Sequence, residues 1–249
     1  MNIVELQSPD RRHVEVDLER LRRMGLVTQD GARTSTAEDF RIIKRPLLRA
    51  ALGESRIGHK HSNLVLVTSA LPGEGKTYCA VNLAMSIAME KDHTVLLVDA
   101  DVARPSIPKV LGIGPAPGLM DILLNEELSL SDVILRTNIP SLSILPAGRS
   151  NKHATELLAS QAMAALLDDI SSRYPDRIVI FDSPPLLLTT EANVLAQNMG
   201  QVVMVIESET TTQRAVREAL RRLENCHHIN IICNKSRQLP GSYYHSYYD

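Results

Sequence analysis

Ten residues in the first third of the chain restrict its fold more than any other stretch: Thr68-Ser69-Ala70-Leu71-Pro72-Gly73-Glu74-Gly75-Lys76-Thr77. Leu64-Val65-Leu66-Val67, apolar and rich in β-branched residues, precedes them. An apolar-periodic segment without Gly or Pro, Tyr78 to Met89, follows. The order is strand, glycine loop, helix, the setting in which such a string cradles phosphate. Gly73 and Gly75 let the backbone fold back so that consecutive N–H groups face one anion. The helix opening near Gly75 adds its positive end. Lys76 can then reach the β- and γ-phosphates, and the Thr77 hydroxyl can ligate Mg²⁺. Ala70 stands where the pattern G-x-x-x-x-G-K-[ST] has its first glycine. The alternative is an ordinary strand-to-helix turn carrying a chance Gly-Lys-Thr.

The rest of the chain supplies the fold such a loop needs. Strands are expected at Leu64–Val67, Val95–Val98, Leu142–Leu145, Ile178–Phe181, Val202–Ile206 and Ile229–Cys233. Helices are expected at 76–89, 118–125, 153–172, 190–198 and 212–224. Continuous apolar strands separated by helices predict an α/β fold: a parallel sheet of P-loop NTPase type, covered by helices on both faces. Trp is absent and there are two Phe and six Tyr, so Leu, Ile, Val, Ala and Met must build the core. A net charge of −2 gives no global basic field for nucleic acid. No apolar run approaches a membrane span, and Met1-Asn2-Ile3-Val4-Glu5 does not read as a signal peptide. Cys79, Cys226 and Cys233 form no paired framework, which suits a reducing compartment.

Two further strand ends carry acids. Val95-Leu96-Leu97-Val98 runs into Asp99-Ala100-Asp101, and Ile178-Val179-Ile180-Phe181 into Asp182-Ser183-Pro184-Pro185. In open α/β sheets the carboxyl ends of strands are where ligands sit. Strand alternation would turn Asp99 and Asp101 to the same side, where two like charges call for a cation. The bland alternative is a turn or helix cap ahead of Arg104-Pro105. Asp182 ends an apolar run in the Walker B manner and can hold Mg²⁺ directly or through water.

The ends of the chain read differently. Residues 1–35 form a polar leader with a short amphipathic helix between Val14 and Met24. Residues 36–50 read as a helix that Pro46 kinks or interrupts, with an acidic head and a basic tail that suit its dipole and would also suit pairing with another copy. The domain is expected to run over 36–237. Residues 238–249 read as a mobile tail in which Tyr243, Tyr244, Tyr247 and Tyr248 cluster as phosphate acceptors. A sticky aromatic, partner-binding peptide is the alternative.

Taken together, the chain resembles the bacterial tyrosine kinases of exopolysaccharide and capsule systems, over roughly residues 36 to 249. The loop Ser69–Thr77 is similar to that family's Walker A, Asp99-Ala100-Asp101 with Arg104-Pro105 to its Walker A′, and Asp182-Ser183-Pro184-Pro185 to its Walker B. Glu38, Arg41 and Lys44 resemble its E-x-x-R-x-x-R oligomerisation helix, with Lys44 in place of an arginine and Phe40 where tyrosine is common. Ala103 stands where many relatives have arginine. The wording is most similar to the stand-alone kinases of exosortase-type systems.

The resemblance implies an ATP-dependent tyrosine autokinase. It implies that Leu71, Pro72, Gly73, Glu74, Gly75, Lys76, Thr77 and Tyr78 bind ATP, and that Thr77, Asp101 and Asp182 place Mg²⁺. Lys76, Asp99, Asp101 and Asp182 would form the catalytic set, with Asp99 orienting or deprotonating the acceptor hydroxyl. It further implies a ring of copies, activation by the cytoplasmic segment of a membrane chain-length (co-polymerase) protein, a cognate tyrosine phosphatase, and a cytoplasmic location beside the inner membrane. The rival class is a partitioning or division-site ATPase, which has a signature lysine where this chain has Leu71, and no use for a tyrosine tail. A non-catalytic scaffold is the third class.

Overall fold

The computed structural model describes residues 12–29, 34–52, 61–173 and 176–237. In chain order the elements are β1 (His13–Val14), α1 (Leu18–Arg23), α2 (Ser35–Leu52), β2 (Leu64–Ser69), α3 (Lys76–Ala88) and β3 (Thr94–Asp99). There follow α4 (Ile107–Leu111), α5 (Leu119–Leu124), α6 (Leu130–Val133), β4 (Leu135–Thr137), β5 (Leu142–Leu145), α7 (Ala154–Leu158) and α8 (Gln161–Arg173). The last are β6 (Arg177–Asp182), α9 (Glu191–Ala196), β7 (Gln201–Glu207), α10 (Gln213–Arg222) and β8 (Ile229–Asn234). All six strands expected from the apolar runs are present.

The eight strands form one sheet in the order β1-β4-β5-β3-β6-β2-β7-β8. Every pairing is parallel except β4 with β5. β2 is buried along its whole length, as an inner strand with helices on both faces must be. One face packs against α2, α3 and the segment around α1, through Phe40, Leu47, Leu83, Ile87, Val65 and Ile180. The other packs against α8, α9 and α10, through Leu66, Phe181, Leu167, Leu195, Met204 and Leu223. From β2 the chain passes through α3 to β3, with β6 lying between the two strands. The connection from β6 to β7 runs the opposite way, past β2, and the divergence of the two opens a crevice at the carboxyl ends of β2, β6 and β3.

Three local expectations change. Residues 12–29, read as leader, are packed into the domain: β1 pairs with β4, and Val16, Leu21, Leu26 and Val27 are buried. The Val27 N–H donates to Asn82 Oδ1 at 2.7 Å, tying this segment to α3. Its polar residues hid a few well-spaced apolar anchors. Leu21→Ala is expected to cost about 2–5 kcal/mol of stability, read as a lower denaturation midpoint; a surface helix would lose almost nothing.

Pro46 does not interrupt α2. A proline inside a helix costs about 3 kcal/mol, but Phe40, Leu47 and Ala51 stay buried on one face along both halves, so packing overrides it. The helix expected over 153–172 breaks at Ser160. Its hydroxyl donates to the Leu157 carbonyl at 2.7 Å and accepts from the Met163 N–H at 3.2 Å, ending α7 and capping α8.

Candidate active site

The phosphate loop leaves β2 at Ser69 and enters α3 at Lys76. Gly73 and Gly75 both adopt left-handed backbone, at φ +86° and +93°. A side chain at Gly75 would be strained, and its Cβ would lie 2.1 Å from Asn234 Nδ2. Glu74 is buried within the loop. One carboxylate oxygen accepts from the Leu71 N–H at 2.6 Å, and the other accepts from the Thr211 hydroxyl. Glu74 and Leu71 therefore bond to one another across the loop, while Lys76 and Thr77 open the helix.

Lys76 Nζ lies 2.8 Å from Asp101 Oδ2, and both side chains are largely buried. Burial works to lower the lysine's pKa, but Asp182, the Asp101 hydrogen bond and Asp99 outweigh it and raise it. Thr77 Oγ1 sits 3.0 Å from Ser106 Oγ. The Tyr78 hydroxyl points away along α3 and donates to the Gly25 carbonyl at 2.9 Å.

The acids occupy adjacent strand ends. Asp99 and Asp182 are register partners across β3 and β6, and both are fully buried. Asp99 Oδ2 accepts from the Ser106 and Ile107 N–H groups at 2.9 and 3.0 Å, capping α4. Its Oδ1 has no hydrogen-bond partner. Asp99 thus takes the capping part considered for it, with one oxygen left over. Neither oxygen of Asp182 accepts a well-directed hydrogen bond.

Burial pushes Asp182 up to about 7; Lys76 and the nearby Thr77 hydroxyl oppose the rise, and Asp99 and Asp101 add to it. Burial pushes Asp99 up to about 6 against the two backbone N–H bonds, and the Asp101 charge raises it further. Three carboxylates thus face Lys76.

This arrangement fits Mg²⁺. Buried carboxylate oxygens without donors beside a hydroxyl and a phosphate loop are hard oxygen ligands in want of a cation. Mg²⁺ takes one or two carboxylates together with substrate phosphate oxygens and water.

Other expected residues lie apart. Glu38 and Arg41 pair with each other on the outer side of α2. Lys44, one turn on, is buried: its Nζ donates to the Ser86 carbonyl at 2.6 Å and pairs with Glu90 at 2.5 Å. The three do not share one exposed face. Tyr243, Tyr244, Tyr247 and Tyr248 lie outside the described residues.

Three further residues join the site. Ser106 meets Thr77, and Asn234 and Lys235, at the end of β8, reach the phosphate loop. Asn234, ending the half-exposed strand β8, reads from the sequence as an adenine-side residue or a plain turn former, and the neighbouring Lys235 carries no signal of its own.

The fold and the site define a P-loop nucleotide-binding protein, and the AAA domain family matches residues 63–235. The tyrosine-protein kinase YwqD of Bacillus subtilis is 33% identical over 162 residues, covering 65% of this chain and 67% of that protein. The succinoglycan biosynthesis transport protein ExoP of Rhizobium meliloti is 30% identical over 233 residues, 91% of this chain and 28% of that one. Against the crystal structure of the chimerical protein CapA2B2 the TM-score is 0.69, at 25% identity over 87% of this chain and 99% of that one. The chain spans about a fifth of the length of the longer curated kinases it matches. It belongs to the bacterial tyrosine-protein kinase family built on this P-loop domain.

Proposed function

We propose that the chain is an ATP-dependent protein-tyrosine autokinase of polysaccharide synthesis and export, modifying its own C-terminal tyrosines in trans. The observation that carries this reading is the convergence of Lys76, Thr77, Asp99, Asp101 and Asp182 on one crevice in a chain of this family. ExoP's role in succinoglycan biosynthesis transport supports the polysaccharide setting.

Lys76 and the loop N–H groups bind the phosphates, and Lys76 exchanges its bond to Asp101 for the β- and γ-phosphate oxygens. Thr77 and Asp182 would hold Mg²⁺, with Asp101 near them, and the ion would supply positive charge against the phosphates during transfer. Asp99 Oδ1, buried at the base of the crevice and without a well-directed donor, would accept from a tyrosine hydroxyl, and its carboxyl is a stronger base than an ordinary aspartate because burial raises its pKa. A copy of the chain presents Tyr243, Tyr244, Tyr247 and Tyr248 to the crevice. Of Glu38, Arg41 and Lys44, the first two remain part-exposed on α2 and would meet a neighbouring copy in a ring. Phosphates accumulating on the tails repel one another and loosen the ring. A cognate phosphatase resets them.

The CapA2B2 chimera supports an activator segment working beside the kinase fold. Among the described residues no helix is long and apolar enough to cross a membrane. The cytoplasmic segment of a membrane chain-length protein would therefore bring the chain to the inner membrane. The test is anti-phosphotyrosine detection on purified protein with Mg-ATP, with and without that segment. A variant with all four tail tyrosines changed to Phe is expected to lose the signal while still binding nucleotide. Undiminished phosphotyrosine in that variant would move the acceptors elsewhere. ATP hydrolysis with no phosphotyrosine under either condition would favour a nucleotide switch.

A further inference from the structure

The two glycines that shape the phosphate loop also leave it free to deform. A peptide flip at Gly73 or Gly75 would turn a carbonyl oxygen, in place of an N–H, toward the bound anion. Something must hold those carbonyls outward. In this structure they are held by residues from the far end of the sequence. Asn234 Nδ2 donates to the Glu74 carbonyl at 2.9 Å, and Lys235 Nζ donates to the Gly73 carbonyl at 2.8 Å. These two carbonyls belong to the peptides on either side of Glu74.

The donors are themselves fixed. Lys235 adopts left-handed backbone at φ +56° and pairs with Glu207 Oε2 at 2.8 Å. The Asn234 carbonyl accepts from the Ser208 N–H at 2.9 Å. The Glu207 N–H donates to Thr211 Oγ1 at 2.9 Å, and the Thr211 hydroxyl donates to the Glu74 carboxylate. The ends of β7 and β8 thus grip the phosphate loop from behind on both its backbone and its buried side chain.

We infer that Asn234 and Lys235 are positioning residues of the nucleotide site, holding the Glu74 and Gly73 peptides in the orientation that binds phosphate. The inference rests on the nucleotide-binding part of the proposed function. Neither residue needs to touch the phosphates, because each acts through a loop carbonyl.

Three variants test it: Asn234→Ala, Asn234→Asp and Lys235→Met. Each is measured for Mg-ADP affinity by titration calorimetry and for unfolding temperature without nucleotide. Losing one donor to a loop carbonyl is expected to weaken Mg-ADP binding about tenfold in Asn234→Ala and in Lys235→Met. Asn234→Asp keeps the shape but sets a carboxylate oxygen against the Glu74 carbonyl, so it should bind more weakly than Asn234→Ala. A role confined to packing would give the opposite order. Unfolding temperatures without nucleotide should stay close to the parent value. Parent-like affinity in Asn234→Asp and Lys235→Met would overturn the inference alone. A parent protein that fails to bind Mg-ADP would overturn the nucleotide reading with it.

Discussion

Lys76→Met is expected to reduce phosphotyrosine formation by at least about 10²-fold, the scale for losing a preorganised charge donor at a reacting oxyanion. The same substitution has a second, structural effect that a surface lysine would lack. Lys76 and Asp101 form a largely buried pair, with Asp182 close enough to raise the lysine's pKa. Removing one member of a buried pair leaves an uncompensated charge, at a cost of about 3–5 kcal/mol. The variant should therefore unfold earlier than the parent, and more so above pH 7 than near pH 5, because the orphaned acids relieve the strain by taking up protons.

Phosphotyrosine and thermal unfolding, followed together over that range, separate the two effects. Lowering the pH should restore much of the lost stability but none of the lost transfer. A variant that keeps a tenth or more of parental phosphotyrosine formation would remove Lys76 from the phosphate chemistry. One that unfolds like the parent at every pH would mean that the Asp101 pair contributes little to the fold.

Why some of this was legible in the sequence and some was not follows from the distance over which each feature is determined. β2, β3, β5, β6 and β7 are apolar runs whose burial needs no partner to be recognised, and β8 is an apolar run at the half-exposed sheet edge. The phosphate loop is a local string whose glycines and lysine serve one purpose together. The acids at the ends of β3 and β6 follow from strand polarity alone.

What escaped depended on contacts across the chain. The segment 12–29 looked like a leader because its anchors, Leu21 and Val27, find their partners in α3 and beside α4, far along the sequence. Lys44 looked like a contact for another copy until Ser86 and Glu90 appeared beneath it. Strand alternation turns Asp99 and Asp101 to one side, and both do act on Lys76; what spacing does not show is that the short α4 turns its first N–H groups onto Asp99 while Asp101 takes the lysine's hydrogen bond, so the two acids divide the work. Asn234 reads from the sequence as an adenine-side residue or a turn former, and only the sheet order β2-β7-β8 brings its amide and Lys235 behind the loop, onto the Glu74 and Gly73 carbonyls.

Asp182→Asn is expected to separate stability from function in opposite directions. Asp182 is fully buried, neither oxygen accepts a well-directed hydrogen bond, and its pKa stands at about 7 against an ordinary 3.8. That upward shift already includes the attraction of Lys76, so the ionised carboxylate is a net burden on the fold. With a folded pKa above the unfolded one, the native state holds its proton longer, and stability falls as pH rises from about 4 to about 7. The burden is absent below that window and complete above it. The isosteric amide removes it. The variant should therefore unfold at nearly the parent temperature near pH 4 to 5 and at a higher temperature near pH 8, the gap opening through the intervening range. Lys76 keeps its bond to Asp101 in the variant, which limits what the lost attraction costs.

Function should move the other way. An amide is a poor ligand for Mg²⁺, so Mg-dependent nucleotide binding and phosphotyrosine formation should fall by at least about 10²-fold. In the parent, Mg-ADP affinity should rise from about pH 6 to about pH 8 as Asp182 loses its proton. Calorimetry across that range on both proteins, without and with Mg-ADP, reads all of this at once. Equal stability at every pH would show that Asp182 is satisfied within the fold. It would then have no stored demand for a cation, and the coupling between metal, nucleotide and stability would have to lie with Asp101.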